Sequence, residues 1–200
     1  MNQALEYFKA AVPDPWTILG LNLRPFSAGH LILLHRIESA FVAGGPINLD
    51  DLALSVLICS KTFEDGCALF NDLELNTFLV QWHEKLVEGG GLDFEEKVAR
   101  FTEYMAEGQK CPGYIYKDGA SEIGDVPTVQ FVKAFVMSRM TMTESEFLNR
   151  PWALSVWDFL TLQAQGGSVR LCGSETVDDA LDVAGKLAQL VKEGKIRCRS

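Results

Sequence analysis

Apolar side chains recur along this chain at helical spacing, and the turn formers between them mark off one helix after another. His30, Leu34, Ile37 and Phe41 follow one another at steps of four, three and four, which puts them on one face of a helix. Pro25 stops anything upstream, Ser27 is placed to cap the N-terminus, and Phe26 and Leu31 hold the two positions of a hydrophobic staple. Gly44, Gly45 and Pro46 end that helix. Asn48 caps a second, whose first turn carries Asp50 and Asp51 ahead of the apolar run 52–58, and a short third segment starts at Thr62. Asp72 opens a stripe of Leu75, Phe78, Leu79, Trp82 and Leu86, which Gly89, Gly90 and Gly91 terminate. Asp93 with Glu96 reads as the capping box of the next stripe, Phe94, Val98, Phe101 and Met105, closed by Gly108 as a left-handed C-cap.

Residues 109–126 lose the helical period and read as a long loop, in which Asp118 and Gly119 can turn a minor β-hairpin between Tyr114–Tyr116 and Ser121–Ile123. Pro127 is placed as the first residue of a helix whose body, Val129 to Met140, is apolar nearly all round, the pattern of a central buried helix. Thr143 and Glu146 box a short helix that ends by Asn149, and Pro151 starts another with the stripe Ala153, Val156, Trp157, Leu160 and Ala164, closed by Gly166-Gly167. Thr176 and Asp179 cap a last helix carrying Val177, Leu181, Ala184, Leu187 and Val191. The pattern predicts an all-α fold of about seven to nine helices. It forms a single domain over 1–200, or two helical halves, 1–108 and 127–200, joined by loop 109–126.

Charge narrows the partners. With 18 Lys plus Arg against 27 Asp plus Glu the net charge is -9, so the basic footprint of a phosphate-backbone binder is missing and no nucleic acid is expected. The most apolar stretch, 31–42, is interrupted by His35, Arg36 and Glu38, short of the roughly 20 residues of a membrane span. The first residues lack the charged and then apolar regions of a secretory leader, and five cysteines with no C-x-x-C pair suit reduced thiols, so a cytoplasmic protein off the membrane is expected.

The search for chemistry returns mostly absences. His30 and His35 lie about 140° apart around a helix, and His83-Glu84 has Val87 where a zinc-protease helix needs a second histidine. The triple glycine lacks a following Gly-Lys-Ser/Thr, and Gly119 to Gly124 around Ser121 is one residue too long for a nucleophile elbow. The pairs Asp50-Asp51, Glu95-Glu96 and Asp178-Asp179 all fall in expected first helical turns, where the macrodipole accounts for them. No catalytic residue, metal or cofactor is expected. A basic tail of Lys192, Lys195, Arg197 and Arg199 suits the negative end of the last helix.

Two stretches carry a resemblance. Pro15-Trp16-Thr17-Ile18-Leu19-Gly20-Leu21 followed by Leu23 to His30 resembles the start of small helical proteins encoded among bacteriophage and prophage tail genes. Thr141 to Leu171, with its acidic-capped short helix, Arg150-Pro151-Trp152-Ala153-Leu154 and closing Gly166, is similar to what phage tail assembly chaperones show near their ends. Together they cover about a quarter of the chain. The resemblance implies a non-enzymatic protein of the bacterial host cytoplasm that binds tail proteins such as a tape measure or tube subunits, with self-association open. Aromatic anchors dominate such contacts, which makes Phe26, His30, Tyr114, Tyr116, Trp152 and Trp157 the candidate partner-binding residues. Two alternatives stand beside it: a structural virion or connector subunit, and a helical small-molecule binder or enzyme assembled from scattered groups such as His30, Glu38, His83, Glu84 and Cys111.

Overall fold

Side-chain caps set most of the helix starts in the computed structural model, which describes residues 3–70, 74–116 and 128–172. The Ser27 hydroxyl accepts from the His30 amide at 3.2 Å and opens α2 (Ala28–Arg36). Asn48 accepts from the Asp51 amide at 2.8 Å to open α4 (Leu49–Cys59), and Thr62 from the Asp65 amide at 3.1 Å to open α5 (Phe63–Leu69). Thr143 and Glu146 form the reciprocal box of α8 (Glu144–Asn149), after which Pro151 leads into α9 (Trp152–Gln165). With α1 (Gln3–Ala11), α3 (Ala40–Ala43), α6 (Glu74–Gly108) and α7 (Thr128–Arg139) there are nine helices among the described residues, and the fold is all-α. None of these helices is long and apolar enough to cross a membrane.

Four short strands make two antiparallel pairs. β1 (Trp16–Ile18) and β2 (Leu21–Leu23) form a hairpin whose turn, Leu19-Gly20, has φ of 51° and 73°. Both central residues are left-handed, as a two-residue hairpin turn that follows the strand twist requires. β3 (Gly113–Tyr116) pairs with β4 (Val169–Cys172), Gly113 opposite Cys172 and Tyr116 opposite Val169. The strand expected at Tyr114–Tyr116 is therefore present with a partner from far down the chain. Ser121–Ile123, Pro127 and the helix expected from Thr176 lie outside the described residues.

Four expectations need correcting. The helix from Ser27 does not run to Ala43: Glu38 takes a φ of 52°, and Ser39 caps a separate α3. A buried polar cluster explains the break, since Ser39 Oγ lies 3.0 Å from Ser55 Oγ and the Ala40 amide donates to Asp51 Oδ2 at 3.1 Å. The triple glycine does not terminate a helix, because α6 passes through it. Leu79 and Phe101, 22 positions apart, point within about 40° of each other on one straight helix, and both pack on the same core, so tertiary burial on either side outweighs the poor helix propensity of glycine. Asp93 and Glu96 accordingly sit in mid-helix, pairing with Lys97 at 3.1 and 3.5 Å instead of capping, and Gly108 is the last helical residue with no left-handed φ. Finally, α7 is not central. Only Val132 and Val136 are buried, because Gln130, Ser138 and Arg139 keep its other face in water.

The core draws on both sides of the 109–126 segment: Leu33, Leu34, Leu52, Val56, Ile58 and Phe101 share one apolar cluster with Val136, Phe147, Trp152 and Leu160. Two backbone amides seal the junction. Trp152 N–H donates to the Phe26 carbonyl at 2.7 Å, and Phe63 N–H donates to Asn149 Oδ1 at 2.8 Å.

Candidate functional site

Pro25, beside the α2 cap, turns the chain so that Phe26 lies between the end of α6 and the start of α9. Those two ends, with α1 laid across them, enclose a cleft of about 270 Å3. Its floor is apolar: Trp16, Phe26, Ala153 and Trp157, with Gly108 at the base. Its rim is charged with both signs, Glu6, Lys9 and Asp14 on the side of α1 and Glu107 and Lys110 on the side of α6. Lys110 and Glu107 pair with each other.

Aromatic edges hold the floor in place. Phe26 meets Tyr104 edge-on at 5.9 Å between centroids, Trp16 meets Tyr104 at 6.1 Å, and Trp157 meets Tyr7 of α1 at 5.8 Å. The Tyr104 hydroxyl donates to the Arg24 carbonyl at 2.8 Å, which ties the chain entering the floor to α6. Burial holds both the Tyr104 hydroxyl and the neighbouring Cys59 thiol neutral, pushing each well above its ordinary pKa. Cys111, also in the cleft lining, is an exposed residue whose pKa is raised by partial desolvation of its thiol.

The six candidate contact residues do not converge. Phe26 and Trp157 line the cleft. His30 stands behind the floor at 1% exposure: its Nδ1 accepts from the Ser27 amide at 3.2 Å and its Nε2 donates to the Lys61 carbonyl at 2.9 Å. Those two bonds require the neutral ring with the proton on Nε2, and burial lowers its pKa to about 4. It is a hydrogen-bonded core histidine. Trp152 is buried with its amide on the Phe26 carbonyl, Tyr114 lies 39% exposed on β3, and Tyr116 stands opposite Val169 at the end of that strand.

A second hollow, of about 330 Å3, lies between the β1–β2 turn and α6, lined by Leu19, Trp82, Asp93, Lys97 and Arg100. It has a wider mouth and a mostly polar lining, and its Lys97 is engaged by Asp93 at 3.1 Å. Among the described residues no group of three His, Cys, Asp or Glu side chains is placed to hold a metal ion. Comparison with known proteins leaves the geometry to speak alone. No family model, curated relative or solved structure matches the chain.

Sequence reasoning missed α1, and with it Glu6, Lys9 and Ala10 of the cleft wall. The signal was present, since Leu5, Phe8 and Val12 recur at three and four ahead of the stop at Pro13. It read Gly108 only as a cap and Cys111 only as one of the scattered groups of the alternative reading, because only the tertiary fold brings the end of α6 to Phe26.

Proposed function

We propose that this chain is a non-enzymatic binding protein that holds an apolar, helix-forming segment of a partner protein in the α1–α6–α9 cleft, and that it serves as an assembly chaperone for phage tail proteins. The observation that carries the binding reading is the cleft itself, an aromatic floor of Trp16, Phe26 and Trp157 inside a rim of mixed charge. Such a surface suits an amphipathic segment, whose apolar side chains reach the floor while its polar ones meet Glu6, Lys9, Asp14, Glu107 and Lys110. The tail-assembly part rests on the resemblance, whose two stretches meet where Trp152 bonds Phe26. The net charge of -9 keeps such a chaperone soluble and away from nucleic acid.

The test is capture by tagged protein from cells of the source under prophage induction, run beside the variant Ala10→Arg, which places a bulky charge on the cleft wall. Recovery of a long helical tail protein or tube subunit by the wild type, with at least a tenfold loss on the variant and absence of the chain from mature particles, is the expected result. A retained small molecule with no protein client would sink the reading. Presence of the chain in mature particles would assign it to the virion.

A further inference from the structure

The chain leaves β4 beside the cleft. The strand ends at Cys172, whose Cα partner across the ladder is Gly113, and Gly113 lines the cleft. Paired Cα atoms stand about 5 Å apart in such a ladder. Residues 173–200 lie outside the described residues. Gly173-Ser174-Glu175 separate Cys172 from the capping Thr176. At about 3.6 Å per residue or less, that link starts the expected helix within about 20 Å of Gly113.

The sequence that follows has the character of an occupant. As a helix, residues 176–191 are about 24 Å long. Val177, Leu181, Ala184, Leu187 and Val191 fall within about 120° of one another around such a helix, and Asp178, Asp182, Lys186 and Lys192 fall on the opposite side. Charge also changes sign along the segment, from Asp178, Asp179 and Asp182 to Lys186, Lys192, Lys195, Arg197 and Arg199. The cleft rim is asymmetric in a matching way. Glu107 and Lys110, on the side of α6, neutralise each other, whereas among the described residues no ion pair engages Glu6 or Asp14 on the side of α1. A helix entering from Gly113, just past α6, brings its basic half to those two carboxylates.

We infer that the resident occupant of the cleft is the chain's own C-terminal segment, residues 176–191: it lies across the cleft as a helix, its apolar stripe on Trp16, Phe26 and Trp157 and its basic end at Glu6 and Asp14, and a client gains the site by displacing it. The inference rests on the reading of the cleft as a seat for an apolar helical segment and supplies the regulation of that site. A second copy or a partner must reach the cleft from solution, whereas so short a tether holds this segment beside it at an effective concentration on the order of 1 mM. Apolar contact in the groove and the attraction at its rim then favour the tethered segment.

Two measurements on the full chain decide it. With p-benzoylphenylalanine in place of Lys110 on the exposed rim, irradiation is expected to crosslink that position to residues 177–191 within the monomer, mapped by mass spectrometry and undiminished on dilution. Absence of those crosslinks, or their presence only in dimers, overturns the inference. In the second, Leu181→Asp together with Leu187→Asp breaks the apolar stripe, and the apolar dye bis-ANS is titrated by fluorescence. The dye is expected to bind the stripe variant roughly tenfold more tightly than wild type, because a tethered competitor has been removed. Adding Ala10→Arg to the stripe variant is expected to abolish the gain. Equal dye affinity in wild type and stripe variant, lost from both on Ala10→Arg, overturns the inference and leaves the cleft reading standing. Dye binding to the stripe variant that Ala10→Arg does not weaken, or no binding at all, overturns the cleft reading and the inference with it.

Discussion

The Phe26 carbonyl accepts from the Trp152 amide at 2.7 Å, while the Cβ of the same residue lies where a side chain on Gly108 would have to stand. One residue thus fixes the start of α9 through its backbone and the end of α6 through its side chain. The α6 and α9 walls of the cleft take their position from it, and the ring itself is part of the floor between them. The aromatic that the sequence marks as a staple and as a contact residue acts first as a spacer.

Gly108→Ala sets two effects against each other. Alanine is favoured over glycine in a helix by about 1 kcal/mol. Against that, the new methyl would lie 2.3 Å from Phe26 Cβ, an atom anchored to the backbone and unable to turn aside. Overpacking of that kind costs about 1–3 kcal/mol, and here it wins. The variant is expected to unfold at a lower urea midpoint, with a net loss of about 1 kcal/mol or more. A midpoint at or above the wild-type value would mean that α6 shifts freely against Phe26.

His30 makes folding sensitive to acid in a predictable window. Its ordinary pKa is 6.5, and burial lowers it to about 4 in the folded chain. Above pH 6.5 the ring is neutral in both states and costs nothing. Below it the unfolded chain takes up a proton that the folded chain refuses, so stability declines from pH 6.5 down to about 4 and levels off there. At about 1.4 kcal/mol per unit this single residue accounts for a loss of about 3 kcal/mol across the window. Denaturant titrations of wild type and His30→Gln at pH 7 and pH 4.5 check it. The variant should be the less stable at pH 7, having lost the bonds to Ser27 and Lys61, yet should decline less on acidification. Equal declines would place the acid sensitivity elsewhere.

What was legible in the sequence was whatever local chemistry decides. The caps at Ser27, Asn48, Thr62 and Thr143 satisfy amides three positions on, so each could be read from four consecutive residues. The break at Glu38 could not, because it is stabilised from α4 by Ser55 and Asp51. Nor could the β1–β2 hairpin, whose Leu-Gly turn lacks the Asn or Asp that usually signals it. The candidate site divides in the same way: Phe26 and Trp157 stood out as large aromatics, whereas Gly108 and Ala153 matter only for what the fold puts beside them.

The triple glycine is where local and global preference conflict most openly, and Gly90→Pro separates them. In a loop between two helices proline would be tolerated. Inside the continuous α6 it removes an amide donor and drives its ring against the preceding turn, at a cost of about 3 kcal/mol or more. The expected outcome is a fall in helical circular dichroism together with a markedly lower melting temperature. A variant with wild-type ellipticity and stability would show that α6 is two helices.

Leu19 and Gly20 share a turn, yet different forces govern them. At Gly20, φ is 73° and a Cβ would meet only Trp82 at 3.9 Å, so space is available and backbone strain decides. Gly20→Ala should cost about 1–2 kcal/mol, the penalty of a left-handed L-residue. Leu19 already carries that penalty, with a φ of 51°, and stays because its side chain is buried in the core. Leu19→Asn relieves the backbone, since asparagine favours this turn, but gives up about 1.5–3 kcal/mol of burial and places an amide among apolar neighbours. It is therefore expected to destabilise despite matching the turn better, by about 1–2 kcal/mol in urea unfolding. If Leu19→Asn proved as stable as wild type, turn geometry and not burial would be what holds the hairpin against α6.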